Sequence, residues 1–365
     1  MINLHFFPSR RLAFYMARLF VLRSFAVLAG LVLILATLDL LGESGKILQV
    51  EGNSDSDLWR YVSLRVPQLI SRFLPFAVLL GTLITLAALN QHSEIIAMKA
   101  AGISAHQIIA PLIVASLAIA GASFVFNERI VTRASATLKA WQAVEFRSVP
   151  ADTGMRSNVW VRSGEDLVLA RQVGGRGPSM RLAGVTVYAR TGGSLSSIVD
   201  AEAARPAPGG WRFEGARRFD VAAGATQTTP SLFYASDIAP QQFILASVDP
   251  ETEDLVELRG SIEDLRSAGR ATAALEASWW HKISGPLSAV LMPLLGAIAA
   301  FGLARSGQLF LRAVAGMALG FAYFVADNFA LAMGSYGAYP PLLAAWGPFA
   351  LFLLIGETVL IRTEE

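Results

Sequence analysis

The sequence predicts a membrane α-helical fold: six transmembrane helices in a three-plus-three layout, with an all-β, jellyroll-like domain inserted between the third and the fourth. Three observations carry that expectation. Hydrophobic residues make up 54% of the chain and charged residues only 16%, against about 25% charged in a soluble domain. The apolar residues are gathered in blocks of the length a bilayer core demands, about 20 residues of helix. Between the third and fourth blocks the chain turns polar, with short alternating runs broken by glycine and proline. The expected parts are residues 1–127, 128–278 and 279–365.

The first span is Leu19–Leu41. Arg10, Arg11, Arg18 and Arg23 precede or enter it, as in a signal peptide. The apolar stretch is long and no clear A-x-A site follows, so it reads as an uncleaved span. The next two are Leu69–Leu89 and Ile103–Phe126. Asn90–Ser104 joins them and is too polar to lie in a bilayer. Ser93 is expected as an N-cap, and Glu94 suits the positive end of a helix dipole. Ile95, Met98 and Gly102 fall at i, i+3 and i+7, which puts them on one side of a short helix. Gly102 is a natural stop. The expectation is a short surface helix with Glu94 free to meet a partner; a solvated turn with an incidental carboxylate is the alternative.

The insertion is expected to begin with a helical continuation, Glu128–Phe146. Short strands follow at Val159–Arg162, Leu167–Val173, Gly184–Arg190, Trp211–Asp220 and Ser231–Ala235. Gly174-Gly175, Gly192-Gly193 and the Pro206–Gly210 turn separate them. Such punctuation points to an all-β sandwich or roll. An acidic patch, Asp249–Glu257, precedes a second helix, for which Ser261 and Asp264 form a capping-box pattern. Trp279-Trp280 is an interfacial aromatic pair before span four. The last spans are Ile283–Leu303, Leu309–Met333 and Leu342–Ile361.

Orientation follows from lysine and arginine near the span ends. The four N-terminal arginines, Arg305, Arg312 and Arg362 mark the cytoplasmic side. Glu43, Glu51, Asp55 and Asp57 against Lys46 mark the first loop as external. Both termini and Asn90–Ser104 are then cytoplasmic, and the β-domain is periplasmic in a Gram-negative cell.

Several chemistries are excluded. There is no cysteine. Gly42–Lys46, GESGK, lacks the first Walker glycine, and Ile47 follows the lysine, so the chain has no ATPase site of its own. No HExxH or GxSxG occurs, and His5, His92, His106 and His281 are scattered, which suggests no metal or cofactor site. The net charge of +2, without a basic stripe interleaved with aromatics, gives no reason to expect nucleic acid. Glycines in the spans (Gly296, Gly302, Gly316, Gly320) are explained by close helix packing.

Asp327 and Asn328 sit deep in span five. An intramembrane carboxylate is costly, so Asp327 is either a lining or coupling residue or an interhelical contact. Asp39 and Glu357 lie near span ends, where snorkelling suffices. Lys46, Arg133, Lys139 and Lys282 lie just beyond spans one, three and four. They are either solvated interfacial cations or a basic rim for a phosphorylated amphiphile.

Four stretches carry a resemblance. They are SEIIAMKAAGIS (Ser93–Ser104), SWWHKISGPLSAVLMPLL (Ser278–Leu295), RAVAGMALGFAYFVADNF (Arg312–Phe329) and YGAYPPLLAAWGP (Tyr336–Pro348). Together they resemble the LptF/LptG permeases of the lipopolysaccharide export ABC transporter, the last three being nearer the LptG branch. The resemblance implies an inner-membrane subunit that extracts lipopolysaccharide and passes it to a periplasmic β-jellyroll bridge. It implies three partners: an LptF-type permease, a cytoplasmic LptB-type ATPase dimer that hydrolyses the ATP, and an LptC-type membrane-anchored jellyroll protein. Glu94, Ile95, Met98 and Gly102 then fall on the family's coupling helix, and Lys139 falls near a basic position for the lipid phosphates. The family's several lysines after helix one are absent here, where Asp39–Gly45 is acidic and Lys46 stands alone. An ion-coupled transporter working through Asp327 and a non-transporting envelope scaffold are the competing readings.

Overall fold

A computed structural model describes residues 8–147, 156–174, 180–236, 238, 243, 248–267, 270–301 and 309–362. Arg305 and its loop, Gly302 and the side chain of Arg312 lie outside the described residues. The chain opens with α1 (Arg10–Leu48), α2 (Asp55–Gln91), the short α3 (Glu94–Ala100) and α4 (Ala105–Phe126). A π turn, Asn127–Val131, links α4 without a break to α5 (Thr132–Ala143). Six strands follow: β1 (Arg156–Ser163), β2 (Asp166–Gly174), β3 (Arg181–Thr191), β4 (Ser194–Ala207), β5 (Gly210–Asp220) and β6 (Ala225–Ala235). The chain closes with α6 (Leu255–Ser267), α7 (Ala273–Phe301), α8 (Leu309–Ser335) and α9 (Pro341–Arg362).

Five of these helices are, among the described residues, long and apolar enough to cross a membrane: α1, α2, the rod Ala105–Ala143, Val314–Ser335 of α8 and Pro341–Ile361 of α9. The fourth expected span, Ile283–Leu303, lies in α7 as far as Phe301, with side chains described up to Ala297; its last two residues lie outside the described residues. The first two helices are longer than a bilayer requires, at 39 and 37 residues. A rise of 1.5 Å per residue makes each roughly 55–60 Å, about twice the hydrocarbon core. Their ends therefore project into water.

Lipid tails are as apolar as leucine, so these helices associate by close packing rather than by burial from water. Small residues make that possible. A Cβ on Gly81 of α2 would lie 2.1 Å from Ser24 Oγ and 2.7 Å from Ser24 Cα, which marks a backbone-to-backbone crossing with α1. Gly296 of α7 meets Thr82, and Gly320 of α8 meets Leu79. Phe20, Leu79, Leu86, Ile108, Ile109 and Leu295 are fully buried between the helices.

Contacts define the two ends of the bundle. At one end the Tyr15 hydroxyl donates to Glu94 Oε1 at 3.3 Å, and His106 meets Glu357 at 3.5 Å. At the other, Ile47, Tyr61, Leu138, Trp141 and Phe146 form a separate apolar cluster. Asn53 Nδ2 donates there to the carbonyls of Ile47 and Phe146. Nearby, Asp39 accepts from Arg65 Nε at 2.9 Å, Arg65 Nη2 at 3.1 Å and Tyr61 at 2.6 Å. Asp39 is thus a forked ion pair between α1 and α2, not the snorkelling carboxylate the sequence suggested.

The β-domain is one six-stranded antiparallel sheet with its strands in consecutive order. Gly192 and Gly193, at φ +59° and +82°, make the two-residue turn between β3 and β4, a backbone that only glycine adopts freely at both places. β4 has no counterpart among the sequence expectations, yet it pairs on both sides. The sheet is rolled. Its register carries Leu167 through Tyr188, Ile198 and Phe219 to Thr226. Tyr234 lies at the other end of β6, yet its hydroxyl donates to Asp166 at 2.5 Å. Two diagonal corners therefore meet over a core of Val168, Ala170, Val187, Trp211 and Phe213. Burial and the Asp166 carboxylate both push the Tyr234 phenol upward, so it stays a donor.

The helix after the acidic patch begins earlier than expected. Asp254 Oδ1 accepts from the backbone N–H groups of Val256 and Glu257, and the Asp254 N–H reaches Glu257 Oε2. Asp254 with Glu257 is thus the capping pair of α6. Ser261 sits inside the helix, its hydroxyl donating to Glu253. Trp279 Nε1 donates to the carbonyl of Leu255 and packs edge-on against Trp280, which ties α6 to α7.

Candidate functional site

A cavity of about 780 Å³ opens between α2, the π turn with α5, α7 and α8, and is edged by Pro250 and Glu251. It forms where helix regularity fails. Pro75 lies within α2, Pro286 within α7, and the π turn interrupts the rod between them. A helical proline brings no N–H to the carbonyl four residues earlier. Those residues are Ser71 and Lys282, and both line the cavity. Backbone irregularity at membrane depth is tolerated where it faces protein or a cavity.

The wall is divided. Leu69, Leu74, Phe76, Met292, Phe324 and Leu331 form an apolar portion, with Phe76 and Phe324 packed edge-on at 5.0 Å. Arg65, Arg72, Lys139 and Lys282 supply cations. Three are already partnered. Arg65 is held by Asp39, and its Nη1 donates to Gln68, which in turn donates to Ser135. Lys139 contacts Asp249 at 2.6 Å and Glu251 at 2.7 Å. Lys282 lies 3.4 Å from Glu128 Oε1, both side chains only 15% exposed. Glu128 Oε2 also accepts from the Leu255 N–H at 2.6 Å, at the start of α6. Arg72 makes no ion pair among the described residues.

Deeper in, His281 Nε2 lies 2.9 Å from Asp327 Oδ2, joining α7 to α8. Asn328 donates to the Phe324 carbonyl one turn back. Asn127 Oδ1 is buried without a hydrogen-bond partner among the described residues, and Asn127 also lines the cavity. The arrangement suits an amphiphile: apolar walls for chains, cations and a buried acceptor for a polar head.

Of the cations expected as a rim, the structure brings Lys139 and Lys282 to the cavity. Lys46 lies elsewhere, pairing with Glu43 one turn away on α1. Arg133 is exposed on α5 and does not line the cavity. Asp327 and Asn328 both line it. Arg65 and Arg72, which the sequence does not single out, join them on the wall. Arg65, Gln68, Arg72 and Pro75 recur at i, i+3, i+7 and i+10, one helix face. A span read from Leu69 leaves out Arg65 and Gln68 and so breaks that periodicity, although Arg72 and Pro75 fall inside it.

The other candidate element, α3, is a single short helix with its faces assigned. Ile95 and Met98 are buried in the helix core. Ile96 points outward, 61% exposed. Ile95 and Met98, which the resemblance places on the coupling helix, thus form the face that anchors α3 to its own chain. Ser93 does not cap as expected: its backbone is left-handed at φ +59° and its side chain accepts no cap bond. Gly102, at φ +83°, lets the Ile103 N–H return to the Met98 carbonyl and end the helix.

Comparison with known proteins follows the same outline. The family model described as lipopolysaccharide export system permease LptF/LptG matches residues 14–362. The lipopolysaccharide export system permease protein LptG of Escherichia coli (strain K12) is 25% identical over 308 residues, 83% of this chain and 84% of that protein. The protein of the same description from Haemophilus influenzae (strain ATCC 51907 / DSM 11121 / KW20 / Rd) is 24% identical over 324 residues, 86% of this chain and 89% of that one.

Proposed function

The chain belongs to the lipopolysaccharide export system permease family LptF/LptG, and from that membership we propose how its parts divide the work of export. It is a transport subunit of the inner membrane. In this reading both termini and α3 face the cytoplasm and the rolled sheet faces the periplasm.

The cavity receives lipopolysaccharide from the membrane. Its acyl chains lie along Leu74, Phe76, Met292 and Phe324, and its phosphates come to Lys139, Lys282 and Arg72. The observation that carries this reading is one cavity with an apolar wall and a cationic edge, open beside the segment that returns from the β-domain. The lipid then moves to the β-domain and on to a periplasmic bridge. His281 and Asp327 hold α7 to α8, which accounts for an intramembrane carboxylate without ion coupling.

The work comes from a partner chain. An LptB-type ATPase dimer docks on α3, with Ile96 and Glu94 at the contact and Ile95, Met98 and Gly102 fixing its shape and position. An LptF-type permease completes the membrane unit, and an LptC-type protein receives the lipid. Reconstitution tests this. The chain, an LptF-type permease and the ATPase are placed in vesicles carrying lipopolysaccharide. ATP-dependent transfer to an added periplasmic acceptor is expected. ATP hydrolysis without lipid leaving the vesicles contradicts the reading.

A further inference from the structure

We propose that Asp249, Glu251 and Glu128 are specificity-determining residues: by occupying Lys139 and Lys282 they make the cavity select a phosphomonoester headgroup over the phosphodiester headgroups of ordinary membrane phospholipids. This rests on the function proposed above and names what that site discriminates.

The contacts are on one edge of the cavity. Lys139 is held by two carboxylates, at 2.6 and 2.7 Å, and Lys282 by one at 3.4 Å. Two lysines against three carboxylates leave these five groups with one net negative charge. Arg72 stands on the same wall without an ion pair among the described residues, so an anionic headgroup is drawn in, but it gains the two lysines only as a resident carboxylate gives way. A phosphodiester brings a single charge and two non-bridging oxygens, enough to replace the two carboxylate contacts at Lys139 with none to spare for Lys282. A phosphomonoester brings about −1.5 to −2 charges and three strong acceptor oxygens. It alone can match what Lys139 loses and reach Lys282 as well. Selection by a repulsive element against the wrong ligand is the general route to such discrimination.

The geometry also makes exchange feasible. Lys139 is 42% exposed and Glu251 64% exposed, and exposed ion pairs are weakly held. Asp249 and Glu251 flank Pro250 on the segment that leads into α6, whose first N–H is held by Glu128. The Lys139 clasp is thus a short strap at the cavity edge, whereas the Lys282–Glu128 pair, 15% exposed on both sides, is held more firmly.

The experiment uses the full chain in complex with its permease partner and ATPase. The complex sits in vesicles containing equal phosphatidic acid, a phosphomonoester, and phosphatidylglycerol, a phosphodiester, with matched acyl chains. A photoreactive residue at Val131, which lines the cavity, reports which lipid is captured. The native chain is expected to favour phosphatidic acid. Asp249→Asn with Glu251→Gln should lower that preference by about three- to tenfold, the scale of two exposed ion pairs, mainly by raising capture of phosphatidylglycerol. Glu251→Gln alone should lower it by less. An unchanged preference in both variants, or no preference in the native chain, overturns the proposal. Lipopolysaccharide added to the same vesicles separates the two claims. If it crosslinks at Val131 while the preference ignores the carboxylates, the selectivity idea fails and the permease reading stands. If it does not crosslink in the native chain, the reading beneath fails.

Discussion

His281 and Asp327 meet at 2.9 Å between α7 and α8, with the Asp327 side chain only 13% exposed on the cavity wall. A carboxylate at that depth is tolerated because a partner on the next helix satisfies it. If the pair is an interhelical contact, the hydrogen bond matters more than the charge. Asp327→Asn should keep both stability and export near the native level. Asp327→Ala leaves the imidazole unpaired and should cost about 1–3 kcal/mol, read as a lowered melting temperature in detergent. Loss of export in Asp327→Asn with unchanged melting contradicts this, because it would mean that the carboxylate's charge is used in turnover.

At the opposite end, α3 divides its residues between anchoring and docking. Ile96→Asp changes only the exposed face and should weaken co-purification of the ATPase while leaving the chain's melting intact. Met98→Asp buries a charge and should destabilise the chain itself. Glu94→Ala should lower ATP-driven export, since removing one partner of a desolvated charge contact costs about 2–5 kcal/mol. Equal ATPase recovery for native chain and Ile96→Asp removes α3 as the docking element.

The rolled sheet makes a local prediction. Tyr234→Phe removes the diagonal bond to Asp166 but keeps the ring stacked on Phe213. The loss should be about 1.5–3 kcal/mol, as for a hydrogen bond to a charged acceptor. Hydrogen exchange should accelerate at the β2 start and the β6 end, and little at β4. Uniform acceleration across the sheet rules out the corner contact as the closure.

Much of this fold is legible in the sequence because membrane helices announce themselves by length and composition. The misses have physical reasons. β4 is hard to read because, of its inward positions Ser197, Val199, Ala201 and Ala203, only Val199 favours a strand; the serine and alanines give the right alternation but little β propensity. The start of α6 was hidden inside a run of acids, where Asp254 and Glu257 do the capping. Arg65 is not legible because α2 begins at Asp55, well before the apolar stretch that hydropathy marks from Leu69; Arg72 lies inside that stretch, as a single cation among apolar neighbours that gives no sign of a cavity. The ion pairs of Lys139 could not be read at all: Asp249 lies 110 residues further along the chain.

Close packing of α1 on α2 rests on Gly81. A methyl group there meets the Ser24 backbone at 2.7 and 2.8 Å as well as its hydroxyl, so the helices must move apart. Gly81→Ala should cost about 1–3 kcal/mol, the usual scale of overpacking. Adding Ser24→Gly should restore only part, because the backbone atoms remain. Full rescue by Ser24→Gly would show that only the side chain stood in the way.

The central claim is that lipopolysaccharide enters the cavity between α2, the π turn, α7 and α8. Photoreactive residues placed singly at Phe324 and Met292 inside it, and at Leu33 and Leu354 on exposed outer helix faces, measure this directly in whole cells. The account predicts lipopolysaccharide crosslinks at Phe324 and Met292 well above those at Leu33 and Leu354, reduced by Lys139→Gln with Lys282→Gln. Equal crosslinking at all four positions, unaffected by the two lysine substitutions, contradicts it.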